Sequence, residues 1–258
     1  MSRTIAHISD LHLGRDRKTD AEVASLVAAL CEADVHTVLL TGDVTHRGRR
    51  SEHATFEALF APLRDRLVVV PGNHDRLGED AASLLMAGTR VAVAAGPGLH
   101  VVRFDSTAAH NRALIDAHGE LTRADRVAVE AAVAAAPEGA LVALMLHHHL
   151  LPLPADHFGE RLATWLGWPN ADELALGAEL LEALRGRCDL VVHGHRHAES
   201  AVVLPARAGR PLRILNAGST PELGRARLLE HAAGRVVSER WLDVGRAGAP
   251  RRLAAVAA

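Results

Sequence analysis

The sequence predicts an α/β protein in which strands and helices alternate along the chain. Three apolar segments, 4–8, 37–40 and 67–70, are separated by two segments with helical periodicity. The apolar segments are continuous rather than alternating, which is typical of sheet strands that are covered on both faces. Polar residues directly follow each of them, at the position where open α/β sheets bind their ligands. The pattern therefore predicts a sheet whose carboxyl edge carries a functional site.

Two helices are predicted between these strands. The first places apolar residues at i, i+3, i+4 and i+7 between positions 23 and 30, and Asp20 is its predicted N-cap. The second places its apolar residues between positions 56 and 63, with Ser51 as the predicted cap.

The second half continues the alternation. Further strands are predicted at 91–94, 101–104, 140–146 and 190–192. A helix is predicted from Arg123 to about Ala136, where Thr122 and Asp125 form a capping-box pattern. Residues 202–244 have the pattern of short antiparallel strands with Gly and Pro turns.

Composition limits the class of protein. The 258 residues are 48% hydrophobic, enough for one domain with a sizeable core, and no Pro- or Ser-rich linker divides them. Residues 1–245 are therefore predicted to form a single domain, followed by a mobile tail at 246–258. A net charge of -2 argues against general nucleic-acid binding. No apolar run approaches the roughly 18 residues of a membrane helix. With two cysteines and no signal pattern, a cytoplasmic protein is expected.

Histidine is abundant, with 17 residues against no tyrosine, and many of the histidines lie at predicted strand ends together with carboxylates. The candidate metal ligands are Asp10, His12, Asp43, Asn73, His147, His195 and His197. Carboxylates, imidazoles and one amide suit Mn, Fe, Zn, Co or Ni, and the absence of a nearby cysteine excludes a structural zinc knuckle. Seven candidates are too many for one tetrahedral site but suit two ions that share a bridging carboxylate.

Taken in order, these motifs resemble the signature of the calcineurin-like metallophosphoesterases. The matching residues are Asp10-Leu11-His12, Gly42-Asp43, Gly72-Asn73-His74-Asp75, His147 and Gly194-His195-Arg196-His197. The resemblance runs from about residue 4 to about residue 220, and Asn216-Ala217-Gly218-Ser219 resembles the strand end that often follows the last motif. In length and compactness the chain is similar to the bacterial cyclic-nucleotide and glycerophosphodiester branch.

The resemblance implies a four-layer α/β/β/α sandwich, with two mixed β-sheets packed face to face and helices outside. It also implies two divalent or trivalent transition-metal ions. Asp10, His12 and His197 would hold the first ion, and Asn73, His147 and His195 the second, with Asp43 bridging both. A water between the ions would lose a proton and attack phosphorus. His74 would stabilise the charge or protonate the leaving alkoxide, and Asp75 would orient His74.

The chain departs from the family pattern at two positions. His46 stands where many relatives have Asp, Asn or Arg, so it is a contact to the substrate or to a ligand, or a surface residue. The relatives usually have Pro after two or three histidines, whereas Leu150 follows here. We assign His147 as the ligand because it directly ends the strand, with His148 as the alternative.

An aromatic cluster follows this motif. Phe158, Trp165 and Trp168 lie within eleven positions of a chain that has only four Phe and three Trp. They either pack a loop onto the core or form a substrate cap within 152–177 that contacts the organic half of the substrate.

The function that the family resemblance implies is phosphodiester hydrolysis of a small-molecule substrate. The alternatives are a phosphomonoesterase, a pyrophosphohydrolase that splits a nucleotide-linked diphosphate, and a non-catalytic scaffold that keeps the fold. A scaffold would have lost ligands, whereas every ligand position is filled here.

Overall fold

Two six-stranded mixed β-sheets pack face to face, and helices cover their outer faces. The computed structural model describes residues 2–113, 117–152, 173–206, 209–244 and 253–255. The predicted aromatic cap, with Phe158, Trp165 and Trp168, lies outside the described residues and stays a prediction.

In chain order the elements are β1 (Arg3–Ile8), α1 (Arg17–Glu32), β2 (Thr37–Thr41), α2 (Arg50–Phe60), β3 (Leu67–Val70), α3 (Ala82–Met86), β4 (Val91–Gly96), β5 (Leu99–Phe104), α4 (Arg123–Ala134), β6 (Leu141–Met145), α5 (Gly177–Leu184), β7 (Leu190–His193), β8 (Ser200–Leu204), β9 (Leu212–Asn216), α6 (Thr220–Leu223), β10 (Arg225–Ala232), β11 (Arg235–Asp243) and β12 (Leu253–Ala255). Short 3-10 helices lie at Ala61–Arg66, His74–Arg76 and Ala109–Arg112.

Both sheets have a parallel centre. The first has the order β12-β11-β10-β1-β2-β3, in which β1, β2 and β3 are parallel and β10 pairs antiparallel with β1. The second has the order β4-β5-β6-β7-β9-β8, in which the four inner strands are parallel and both edge strands are antiparallel. The carboxyl ends of β1, β2, β3, β6 and β7 carry the predicted site residues.

Three apolar clusters join the layers. One lies between the first sheet and helices α1 and α2, and a second lies between the second sheet and helices α4 and α5. The third fills the space between the sheets, where Ile5 and Leu39 of the first sheet pack with Ala143 and Val192 of the second. Burial on both faces explains the continuous apolar strands, and the expected four-layer α/β/β/α arrangement is confirmed.

Two predicted helix caps are wrong. Helix α1 is capped by Asp16, whose Oδ1 accepts from Thr19 N at 2.8 Å. Asp20 lies inside the first turn, where its carboxylate accepts instead from Gly14 N at 2.9 Å. Helix α2 begins at Arg50, one residue before Ser51, and Arg49 is its N-cap residue. Periodicity located both helices, but loop contacts set their first residues.

The capping box of α4 is confirmed, since Thr122 Oγ1 accepts from Asp125 N and Asp125 accepts from Thr122 N.

The antiparallel interpretation of 202–244 is only partly correct, because β9 pairs parallel with β7. Within the segment predicted as a mobile tail, Leu253–Ala255 pairs antiparallel with β11. This strand supplies hydrogen-bond partners for backbone groups at the outer edge of β11. The mobility of the rest stays a prediction.

Among the described residues, no helix has both the length and the apolar character needed to cross a membrane.

Candidate metal centre

The seven predicted ligands gather at one edge of the two sheets. Asp10 and His12 follow β1, Asp43 follows β2 and Asn73 follows β3. His147 follows β6 of the second sheet, and His195 and His197 follow β7. All but His195 and His197 are buried, so the cluster lies in a cleft with one side open to solvent.

Four of the seven have a left-handed backbone, with φ of 53° at Asp10, 48° at His12, 48° at Asp43 and 69° at His195. This conformation is uncommon for residues other than glycine and persists only where the surroundings enforce it. Here Asp10 N donates to Gly42 O at 3.1 Å and His12 N donates to Asp43 O at 2.9 Å. The strand ends thus brace one another, and their side chains turn into the cleft instead of continuing the pleat.

The first group comprises Asp10, His12 and His197, whose nearest ligand atoms all lie within 4.8 Å of one another. The Nε2 atoms of His12 and His197 face each other at 3.3 Å, and His197 Nε2 is 3.9 Å from Asp10 Oδ1. Two imidazole nitrogens that bind one tetrahedral cation at about 2.0–2.1 Å lie about 3.3–3.4 Å apart. The separation of the two rings therefore fits a shared cation.

The second group surrounds the amide oxygen of Asn73. His147 Nε2 lies 3.1 Å from Asn73 Oδ1, and His195 Nδ1 lies 3.2 Å from the same atom. His147 Nδ1 is bound to Thr41 O at 2.7 Å, which places the ring proton on Nδ1 and leaves the Nε2 lone pair for a ligand. One oxygen and two imidazole nitrogens thus converge on a second point.

Asp43 lies between the groups. Its Oδ1 is 3.5 Å from His147 Nε2, and its Oδ2 is 3.7 Å from His12 Nε2. Burial alone would raise the pKa of Asp43, but the facing imidazoles of His147, His74 and His12 lower it. Each carboxylate oxygen therefore faces a different group, which is one of the two ways in which a carboxylate can bridge two cations.

The residues fit two cations. The buried Oδ1 of Asp10 has no hydrogen-bond partner among the described residues. Burial, together with the nearby Asp43 carboxylate, raises the pKa of Asp10 well above its usual value. Burial lowers the pKa of His12 to about 3, so this imidazole is neutral with a lone pair available. Two close buried carboxylates among neutral imidazoles are a typical donor set for divalent transition metals.

His147 and His148 differ in their contacts. His148 Nδ1 is 2.9 Å from Ser106 Oγ and its Nε2 is 2.9 Å from Ala117 O, so both ring nitrogens already contact the protein. His147 uses only Nδ1 in this way and aims Nε2 at Asp43 and Asn73. The contacts favour His147 as the ligand.

His74 and His46 lie at the opening of the cleft. The His74 ring centroid is 4.6 Å from that of His12 and 5.5 Å from that of His46, which is nearly parallel to it. His74 N donates to Asp43 Oδ1 at 2.9 Å. Burial of the ring tends to lower the pKa of His74, whereas the Asp43 carboxylate and the hydrogen bond to the His46 carbonyl raise it. Together the raising effects are larger, so the pKa of His74 lies above its usual value.

Asp75 was predicted to orient His74, but its hydrogen bonds go to other groups. His74 Nδ1 is bound by His46 O at 2.8 Å and not by Asp75. The Asp75 carboxylate instead accepts from Gly72 N at 2.9 Å, from Thr45 N at 2.8 Å and from Thr45 Oγ1 at 2.7 Å. The 3-10 turn at His74–Arg76 directs Asp75 into the loop after β2, so it holds that loop against the end of β3.

The motif glycines allow close approach to the ligands. A Cβ on Gly72 would lie 2.2 Å from Asp43 Oδ1, and one on Gly194 would lie 2.6 Å from Asp10 Oδ2. Both glycines therefore lie directly against candidate ligands and leave no room for a side chain there. The motifs in the sequence did not predict this steric role.

Further residues hold the candidate ligands in place and were not predicted from the sequence. Ser219 Oγ donates to Asp10 O at 3.1 Å, and Asn216 Nδ2 donates to Arg196 O and Ala198 O at 2.9 and 2.8 Å. The Asn-x-Gly-Ser resemblance was the available signal for these two. No sequence signal marked Glu222, whose Oε2 lies 3.2 Å from His197 Nδ1.

Solved structures share this fold. A dimetal phosphatase from Danio rerio matches with a TM-score of 0.63 and 12% identity, over 93% of this chain and 94% of that one. A purple acid phosphatase from yellow lupin seeds matches with a TM-score of 0.65 and 11% identity, over 95% of this chain and 52% of that one. At these identities the likeness shows the fold alone.

A curated relative is similar over a shorter stretch. A probable cyclic nucleotide phosphodiesterase of Vesicomyosocius okutanii is 25% identical over 80 residues. The match covers 29% of this chain and 34% of the relative, so it spans about a third of the relative's length.

The family comparison reaches further. The sequence profile described as calcineurin-like phosphoesterase matches residues 3–199, which includes all seven predicted ligands and more than half of the chain. This match supports the expected enzyme class, a metal-dependent phosphoric ester hydrolase. The chain belongs to the calcineurin-like phosphoesterase family.

Proposed function

We propose that this protein hydrolyses phosphodiesters at a dinuclear metal centre. The observation that carries the proposal is the position of Asp43, whose two carboxylate oxygens face two different groups of ligands. Asp10, His12 and His197 would hold one ion, and Asn73, His147 and His195 the other. Mn, Fe, Zn, Co and Ni all suit these donors.

Two such ions would supply Lewis acidity toward the phosphoryl oxygens and toward the attacking water. The chain's own contribution to the centre is rigidity. Because Asp10, His12 and Asp43 are fixed by braced left-handed backbone, these donors need little rearrangement to bind.

We assign His74 to the leaving group. Its Nδ1 is bound by the His46 carbonyl, which leaves Nε2 for the substrate. The raised pKa of His74 favours the imidazolium form, which can give a proton to a leaving alkoxide. His46 stacks beside it at the opening of the cleft, and we propose that it contacts the substrate.

The choice of a diester rests on the name of the curated relative, which makes cyclic nucleotides the first substrates to test. We propose that Phe158, Trp165 and Trp168 contact the organic group of the diester, since an aromatic ring stacked on a base contributes roughly 1–3 kcal/mol. The cytoplasmic location expected from the sequence is part of the same proposal.

The test is a panel of substrates and metals. The chain is freed of metal, loaded in turn with Mn, Ni, Co, Zn or Mg, and assayed on a cyclic nucleotide, a linear diester, an alkyl phosphate and a nucleotide-linked diphosphate. We expect the highest kcat/KM on a diester with a transition metal. Preference for the alkyl phosphate or for the diphosphate would replace the diester with one of the alternatives. No turnover of any substrate by chain carrying two ions would favour a scaffold.

A further inference from the structure

His197 differs from the other proposed ligands because its side chain is 42% exposed. Packing therefore constrains this ring less than it constrains the fully buried ring of His147. Its two ring nitrogens nevertheless have separate partners. Nε2 faces His12 Nε2 and Asp10, and Nδ1 faces Glu222 Oε2 at 3.2 Å.

Glu222 also has a partner other than His197. Arg15 Nη1 donates to Glu222 Oε1 at 2.5 Å, and Arg15 Nε donates to Thr19 Oγ1 at 3.2 Å on helix α1. The carboxylate therefore binds a guanidinium through one oxygen and the imidazole through the other.

Helix α6, which carries Glu222, is attached to the first metal site through its start. Ser9 N donates to Thr220 Oγ1 at 3.0 Å, and Ser219 Oγ donates to Asp10 O at 3.1 Å. Glu222 therefore has a fixed position relative to Asp10, the ligand that His197 has to meet.

We propose that Glu222 is a positioning residue of the first metal site. It accepts the Nδ1 proton of His197, which selects the tautomer whose Nε2 lone pair faces Asp10 and His12, and Arg15 keeps the carboxylate in place. Carboxylates that bind the far nitrogen of a ligating histidine orient the ring and make it a better donor. The inference rests on the proposed dinuclear centre.

The same role at His147 belongs to a main-chain group, Thr41 O, in the buried interior. At His197 it belongs to an exposed side chain, which can be replaced without cutting into the core. The two metal sites should therefore respond differently to substitution of Glu222.

The experiment measures the binding of Mn²⁺ to the metal-free full chain by chelator competition, with metal stoichiometry by elemental analysis. The variants are Glu222→Ala, Glu222→Gln and Arg15→Ala. The matched control is Glu179→Gln, which alters an exposed carboxylate paired with Arg126 at 3.1 Å. The melting temperature of each metal-free variant separates loss of binding from loss of fold.

We expect Glu222→Ala to weaken one of the two ions by about 10–100-fold, as removal of such partners typically does. The other ion and the Tm of the apoprotein should change little. Glu222→Gln should lose less, because its amide oxygen still accepts from Nδ1, and Arg15→Ala should shift affinity in the same direction by a smaller factor. Glu179→Gln should match the wild type.

Unchanged affinity for both ions in Glu222→Ala would overturn the role of Glu222 while leaving the centre intact. Equal weakening of both ions with a lower apoprotein Tm would overturn it in favour of a structural role. A wild-type chain that binds fewer than two ions would instead overturn the proposed centre.

Discussion

The two sides of the candidate metal centre are built in different ways. The inner side is the group of Asn73, His147 and His195, in which Asn73 and His147 are buried, His195 is half-buried, and a backbone carbonyl binds the far nitrogen of His147. On the outer side, His197 is partly exposed, and a surface carboxylate binds its far nitrogen. A backbone carbonyl stays in place when surface side chains are substituted. We therefore expect the inner site to keep its affinity for metal, and the outer site to be the one whose affinity surface substitutions change.

Asp43 is the residue that the two sides share, so its removal should have the largest effect. Asp43→Ala should lower metal content by more than one ion per chain and reduce kcat/KM more than loss of any other single ligand. Elemental analysis of the folded variant checks this, with the exposed Asp65→Ala as the control. Two ions retained by Asp43→Ala would show that the carboxylate does not bridge.

Gly72 tests the same bridge without removing a donor. A Cβ at this position would lie 2.2 Å from Asp43 Oδ1 and 2.4 Å from Asp43 N, so it would displace the Asp43 carboxylate together with its backbone. Gly72→Ala should therefore weaken both ions, although less than Asp43→Ala. Gly96→Ala is the matched control, because nothing lies within 4 Å of its added Cβ. Equal metal affinity in the two variants would contradict the close approach.

His147 and His148 test the inner side alone. His147→Ala should lose one ion and keep the other. His148→Ala should keep both ions but unfold more easily by roughly 1–3 kcal/mol, because Ser106 and Ala117 would lose a buried hydrogen-bond partner. Metal content and urea unfolding of both variants measure these effects. The reverse pattern of metal loss would identify His148 as the ligand.

His74 should affect rate without affecting metal content. His74→Ala should keep both ions and lose about 10²–10⁴-fold in rate on diesters with poor leaving groups. Diesters whose leaving group needs no protonation should suffer less. A rate series over leaving groups of different pKa decides between the roles, since an equal loss across the series would leave only charge stabilisation for His74.

The comparison also shows what the sequence can and cannot predict. The strands were predictable because burial on both faces imposes continuous apolar runs, whereas the four-layer arrangement was implied only by the family resemblance of the motifs that follow those runs. Asp10 and Asp43 follow neighbouring parallel strands, so their convergence follows from the order of those strands. His147 follows a strand of the second sheet and meets them because the two sheets pack face to face.

The contacts that orient the ligands were not predictable in the same way. Glu222 reaches His197 only because helix α6 packs beside the end of β1, and no spacing along the chain encodes that packing. Asp75 is adjacent to His74 in sequence, yet its turn directs its carboxylate to Thr45. The His46 carbonyl, and not Asp75, binds His74 Nδ1. The orientation of the candidate ligand on the outer side, His197, therefore depends more on tertiary contacts than on sequence motifs.

The most direct test of the dinuclear centre is a crystal structure of the chain loaded with Mn²⁺, with anomalous scattering used to locate the metal. We expect two anomalous peaks about 3.5–4 Å apart, the usual separation in two-metal sites, with one oxygen of Asp43 or both of them contacting the two ions. His197 would bind one ion while its Nδ1 contacts Glu222, and His147 would bind the other. A single peak, or two ions that Asp43 does not join, would contradict it.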